Sequence, residues 1–118
     1  MLKYSGIDSV FRALAEPTRR SILERLGAGP ATVSSLAEPF DMTIAAVVQH
    51  LQVLEECGLI RTEKLGRVRT CQLEPAGFDP LASWIEARRL RVGRNLDRLG
   101  QVLDEKYPST QPKRKKRT

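Results

Sequence analysis

Apolar residues at Val10, Phe11, Leu14, Ile22, Leu23 and Leu26 are spaced by three, four and eight, the period of helices with one apolar face. Pro17 interrupts that pattern. Because proline suits the first turn of a helix and not its interior, the spacing predicts one helix ending near Ala15 and a second starting at Glu16 or Pro17, stopped by Gly27-Ala28-Gly29-Pro30. Thr32 is placed to cap a short helix over 33–38, with Val33, Leu36 and Ala37 inward and Pro39 barring its extension. After a turn at 39–42, Thr43 is the next candidate N-cap, for a helix over 44–57 that buries Val47, Leu51 and Leu54 along one stripe. Gly58 suits the left-handed residue of a Schellman ending, with Leu59 folding back on Leu54. Two helices joined by so short a turn make a helix-turn-helix.

The pattern then changes to that of strands. Residues 59–65 and 68–73 flank Gly66-Arg67 as a two-stranded hairpin, with Ile60 opposite Leu73 and Thr62 opposite Cys71 on the packed face, and Arg61 and Glu63 pointing away. Pro75, Gly77 and Pro80 separate this hairpin from a last helix, with Asp79 as its expected N-cap and Pro80 as its first residue. Running to about Tyr107 and rising about 1.5 Å per residue, it would reach roughly 40 Å, longer than a domain of this size is wide. Its stripe of Leu81, Trp84, Ile85, Val92, Leu96, Leu99, Val102 and Leu103 exceeds what one small core covers, and a second copy of the chain is the simplest cover. The expected fold is mainly α (α+β): a winged helix-turn-helix with a two-stranded wing and a long C-terminal dimerisation helix.

Charge refines this picture. The chain of 118 residues has a formal charge of +6, but five positive side chains fall in Lys113-Arg114-Lys115-Lys116-Arg117, which leaves about +1 for the rest. Residues 1–107 therefore form the expected domain, and 108–118 a disordered basic tail, either an electrostatic arm or a solubilising end. No apolar run is long enough to span a bilayer and the first residues lack a signal-peptide core, so a cytoplasmic protein with no membrane partner is expected. Two cysteines cannot form a disulfide framework or supply a four-thiolate zinc site, and with one histidine a metal-dependent hydrolase is hard to build. No residue set offers a nucleophile, a base and an orienting group, or a phosphate-cradling glycine loop, so neither enzymatic activity nor a cofactor is expected.

Three stretches carry a family resemblance: Phe11-Arg12-Ala13-Leu14-Ala15-Glu16-Pro17-Thr18-Arg19-Arg20-Ser21-Ile22-Leu23, His50-Leu51-Gln52-Val53-Leu54-Glu55-Glu56-Cys57-Gly58-Leu59-Ile60, and the hairpin with Gly66-Arg67. In this order, over roughly residues 8–106, the chain resembles the ArsR/SmtB-type winged helix-turn-helix bacterial transcriptional regulators. The resemblance implies a homodimer joined through its N-terminal and C-terminal helices, with the 44–57 helix in the DNA major groove and the hairpin at the flanking minor groove.

The residues agree with that implication. The first turn at 43–46 carries no acid, while Glu55 and Glu56 lie at the far end, so the positive end of the helix dipole is free to meet phosphate. The family's usual serines and threonines before the His-Leu pair are replaced here by Ala45, Ala46 and Val48. Base reading would then fall to Thr43, Gln49 and Gln52 by hydrogen bonds, with Ile44, Ala45 and Val48 available to thymine methyls and Ala46 in the same turn. His50 has two readings, a phosphate contact or a helix residue partly covered beside the buried stripe. Arg67 and Arg69 suit phosphate or minor-groove contact, against the plainer reading of a solvated hairpin edge. Arg19 and Arg20 read as helix support.

Many family members sense metals through a Cys-x-Cys stretch, and the matching positions here are Thr32 and Ser34; the family's other site uses carboxylates and histidines on the terminal helix, where this chain has no histidine. No metal is expected. Two alternatives stay open: a winged-helix module that binds a partner protein through its apolar 44–48 stretch, and a redox-responsive repressor using Cys57 and Cys71, whose plainer reading is core packing.

Overall fold

The computed structural model describes residues 6–106, and the tail expected at 108–118 lies outside them. In chain order the elements are α1 (Gly6–Leu14), α2 (Pro17–Gly27), β1 (Ala31–Thr32), α3 (Val33–Ala37), α4 (Ile44–Glu56), β2 (Ile60–Leu65), β3 (Val68–Leu73), a 3-10 turn (Pro75–Phe78) and α5 (Asp79–Lys106). Helices α2, α3 and α4 each start where a side chain satisfies an otherwise orphaned amide. Glu16 accepts from the Arg19 amide at 2.9 Å, with Pro17 in the first turn of α2. Thr32 accepts from Ser35 at 3.2 Å, and Thr43 from Ala46 at 3.1 Å.

The end of α4 is a Schellman closure. The Gly58 amide donates to the Glu55 carbonyl and the Leu59 amide to the Leu54 carbonyl, both at 3.0 Å, and Gly58 takes the left-handed φ of +82° that a side chain would oppose. Leu59 is thereby turned into the core, where it is fully buried beside Leu54.

The hairpin has the expected register, Ile60 opposite Leu73 and Thr62 opposite Cys71, with Gly66 and Arg67 as the turn. The wing is not two-stranded, however. Ala31 and Thr32 form a third strand, pairing with Cys71 and Thr70, and the antiparallel order is β1-β3-β2. Two residues are too few to show an alternating pattern, and only the remote partner makes them a strand.

A second correction concerns Asp79. It is not an N-cap: its φ of −59° and ψ of −43° are already helical, and its amide donates to the Ala76 carbonyl. The 3-10 turn has begun to coil the chain before Pro80 is reached and runs straight into α5. The Asp79 carboxylate remains in the first turn of α5, where it complements the helix dipole.

The chain divides into two units, Met1–Ser83 and Trp84–Thr118. In the first, Val10, Ala13, Ile22, Leu23, Leu26, Leu36, Val47, Leu51, Leu54, Leu59, Ile60 and Cys71 form the core, with Phe78 and Leu81 packed at its edge. Gly77 meets the end of α4 so closely that a Cβ on it would lie 1.8 Å from the Gly58 carbonyl oxygen. The described residues of the second unit are the remainder of α5, on which Trp84, Ile85, Val92, Leu96, Leu99, Val102 and Leu103 are all exposed. Arg88 stacks its guanidinium over the Trp84 ring at 4.5 Å, one helical turn away.

Candidate nucleic-acid interface

Helical periodicity divides α4 into four faces. Val47, Leu51 and Leu54 point into the core. Ala45, Gln49 and Gln52 lie on the opposite, solvent face, where all three are exposed. Ile44 and Val48 occupy the flank toward the wing, Ile44 being 56% exposed and Val48 half-buried. Ala46 and His50, both half-buried, occupy the other flank. Thr43 is exposed at the start, its hydroxyl engaged with the Ala46 amide, so it is a helix cap as well as a surface group.

Ile44 and Val48 share an open groove of about 440 Å³ with Thr32, Val33 and Ser34 at the start of α3 and with Lys64, Arg67, Val68 and Arg69 of the wing. Three cations line it and no acid does. The sequence pattern points to Ile44, Val48, Arg67 and Arg69, but carries no signal for Lys64, Val68 or Ser34 as parts of one surface. The β1–β3 pairing explains the omission, because it is what brings the start of α3 beside the wing.

Gln52 lines a different depression with Glu55, Glu56, Thr62 and Arg69. There the Thr62 hydroxyl donates to the Glu55 carboxylate at 2.8 Å, holding this acid at the trailing end of α4. Arg69 borders both depressions, so its charge is shared between the cationic groove and the acidic end.

His50 turns toward the start of α2. Its Nδ1 lies 3.8 Å from the Glu16 carboxylate and 3.4 Å from Arg19 Nη1, and its side chain is only 19% exposed. Partial burial pushes the Glu16 carboxyl up, but the amides of Arg19 and Thr18 and the charge of His50 outweigh it, and the group sits below its ordinary value. Arg19 also donates from Nε to the Ala13 carbonyl at 2.7 Å and from Nη2 to the Arg12 carbonyl at 3.0 Å, while Arg20 donates to Leu14 at 2.7 Å. Both arginines thus cap the C-terminal carbonyls of α1, the supporting role expected of them.

Neither cysteine has the surroundings of a reactive thiol. Cys71 is fully buried, and Cys57 is half-buried with its Sγ donating to the Leu54 carbonyl at 3.4 Å; burial raises both thiols above their ordinary value. Among the described residues no three His, Cys, Asp or Glu side chains gather as a metal-holding group, and no helix is long and apolar enough to cross a membrane.

A helix-turn-helix domain model matches residues 14–63. The HTH-type transcriptional regulator Rv2034 of Mycobacterium tuberculosis is 41% identical over 81 residues, which cover 69% of this chain and 76% of that protein. The crystal structure of an ArsR family transcriptional regulator superposes with a TM-score of 0.72 at 45% identity, covering 79% of this chain and 97% of that one. The chain belongs to the ArsR family. A further relative, the transcriptional repressor SdpR of Bacillus subtilis, is 28% identical over 79 residues, covering 67% of this chain and 88% of that protein. As an ArsR-family member the chain is a DNA-binding transcriptional regulator, with α3 and α4 as its helix-turn-helix and the β-sheet as its wing.

Proposed function

We propose that the protein is a cytoplasmic homodimeric repressor of a pseudo-palindromic operator, without enzymatic activity, metal or cofactor. One α4 enters the major groove of each of two half-sites about 34–36 Å apart, and each wing reaches the adjacent minor groove. Repression follows from occlusion of the promoter. The observation that carries this reading is the groove shared by α4, α3 and the wing, with cations on its rim and the leading turn of α4 free of acids. Thr43, Ile44, Ala45, Ala46, Val48, Gln49 and Gln52 form the reading end, and Arg67 and Arg69 take phosphate or minor-groove contacts. His50 contributes from the flank, its Nδ1 held by the start of α2.

The exposed stripe on α5 supports dimerisation. Ile85, Val92 and Leu99 repeat at seven residues, Leu96 and Leu103 repeat in the alternate position, and each is between 44% and 62% exposed. Sedimentation of the parent should give a dimer and that of Leu96→Lys a shift to monomer; a monomeric parent would refute the dimer.

Gel shifts on the DNA upstream of the chain's own gene test the whole. Sequence-specific retention is expected. Arg67→Ala should weaken it and make log affinity fall less steeply with log salt, by about 0.9 in slope for each phosphate that is no longer neutralised. Binding to any DNA alike, abolished by salt, would instead favour a protein-interaction module.

A further inference from the structure

Resting on the DNA-reading role of α4, we propose that each half-site is read through the 5-methyl groups of thymine, by Ile44 and Val48. The surface of α4 is short of the groups that recognise bases by paired hydrogen bonds. The helix contains no Lys or Arg, the side chains that most often read guanine in the major groove. His50 is turned to the start of α2, and Glu55 is engaged with Thr62. Its exposed hydrogen-bonding side chains at the reading end are Thr43, whose hydroxyl already serves the helix cap, Gln49 and Gln52. Glutamine pairs with the N6 and N7 edge of adenine, which again selects an A·T pair.

What the surface does present is carbon. Ile44 is 56% exposed and Val68, which lines the same groove, 51% exposed, and Val33 and Val48 line it with them. A branched aliphatic side chain left in water at the leading turn of a DNA-binding helix gains free energy only where an apolar group meets it. The major groove offers one such group, the thymine methyl. The cations at 64, 67 and 69 on the rim bring the backbone close without themselves selecting bases. Thymine is therefore the base that this groove discriminates, and the discrimination lies in one carbon atom.

Removing that carbon tests the proposal directly. Duplexes selected by the full chain from a random double-stranded library should converge on half-sites with thymines at adjacent positions. Each of these thymines would then be replaced singly by deoxyuridine, which keeps every hydrogen-bonding group and loses the methyl. Affinity should fall about fourfold for each methyl that faces Ile44 or Val48, the value of burying one such carbon. Ile44→Ala, whose fold is checked by circular dichroism, should weaken binding to the thymine duplex but make it indifferent to deoxyuridine at the facing position. Retained specific binding with no deoxyuridine effect, or selected half-sites anchored on G·C pairs, would overturn the proposal while leaving the repressor reading intact. Enrichment of no sequence at all would overturn both.

Discussion

Alanine at position 77 should be among the most damaging single-methyl additions in this protein. A Cβ there would lie 1.8 Å from the Gly58 carbonyl oxygen, 2.5 Å from its carbon and 3.2 Å from the Leu59 nitrogen. All three are backbone atoms, so no rotamer change relieves the overlap. The first gap must open from 1.8 Å to at least 3.0 Å, and the carbonyl that has to retreat belongs to the left-handed residue closing α4. Three hydrogen bonds fix that segment, from the Gly58 amide to Glu55 and the Leu59 amide to Leu54, both at 3.0 Å, and from the Glu74 amide to the Leu59 carbonyl at 2.9 Å. Overpacking of a rigid site costs about 1–3 kcal/mol, and loosening one such bond adds about 0.5–1.5 kcal/mol, so a loss of about 2–4 kcal/mol is expected. Urea unfolding followed by far-ultraviolet circular dichroism, at one protein concentration, should show the midpoint of Gly77→Ala lowered by about 1–2 M. Gly27→Ala is the control: it is helical, has nothing within 4 Å of its added methyl, and should unfold no earlier than the parent. Equal midpoints for Gly77→Ala and the parent would refute the close approach of the 3-10 turn to the end of α4.

Glu16→Gln should lower the melting temperature at neutral pH. The carboxyl is held below its ordinary value near 4.5 in the fold, so its ionised form adds stability above that pH, and the gap between parent and variant should close as pH falls through the native value; a gap constant from pH 7 to pH 3 would contradict this. Cys71, fully buried and with its thiol raised by that burial, should resist iodoacetamide in the native protein and react on denaturation, as read by mass spectrometry. Thr43→Ala removes the cap of α4 and should cost about 1 kcal/mol in chemical denaturation, with any larger loss of DNA affinity measuring the hydroxyl's separate part in binding.

Features set by neighbours in the chain are legible in the sequence. Glycine at 58 after an apolar stripe, threonine at 43 before it, and Gly66-Arg67 between alternating runs each carry their own geometry, and the structure has all three. What the pattern conceals depends on partners far along the chain. Ala31 and Thr32 are a strand only because residues 70 and 71 lie beside them, and without that pairing Ser34 and Lys64 belong to no common groove. The orientation of His50 is hidden for the same reason, since Glu16 and Arg19, which engage it, stand at least 31 residues earlier. Asp79 misleads through local likeness: Asp-Pro is a common helix start, but the preceding 3-10 turn has already supplied one.

The side chain of Arg19 has a mechanical consequence. One guanidinium grips the last carbonyls of α1 at residues 12 and 13 and touches the imidazole at residue 50. The first helix and α4 are therefore not independent bodies: a rotation of either must stretch or release a bond held by this one planar group. Whatever displaces the N-terminal helix pulls on a lever whose far arm rests at the middle of α4.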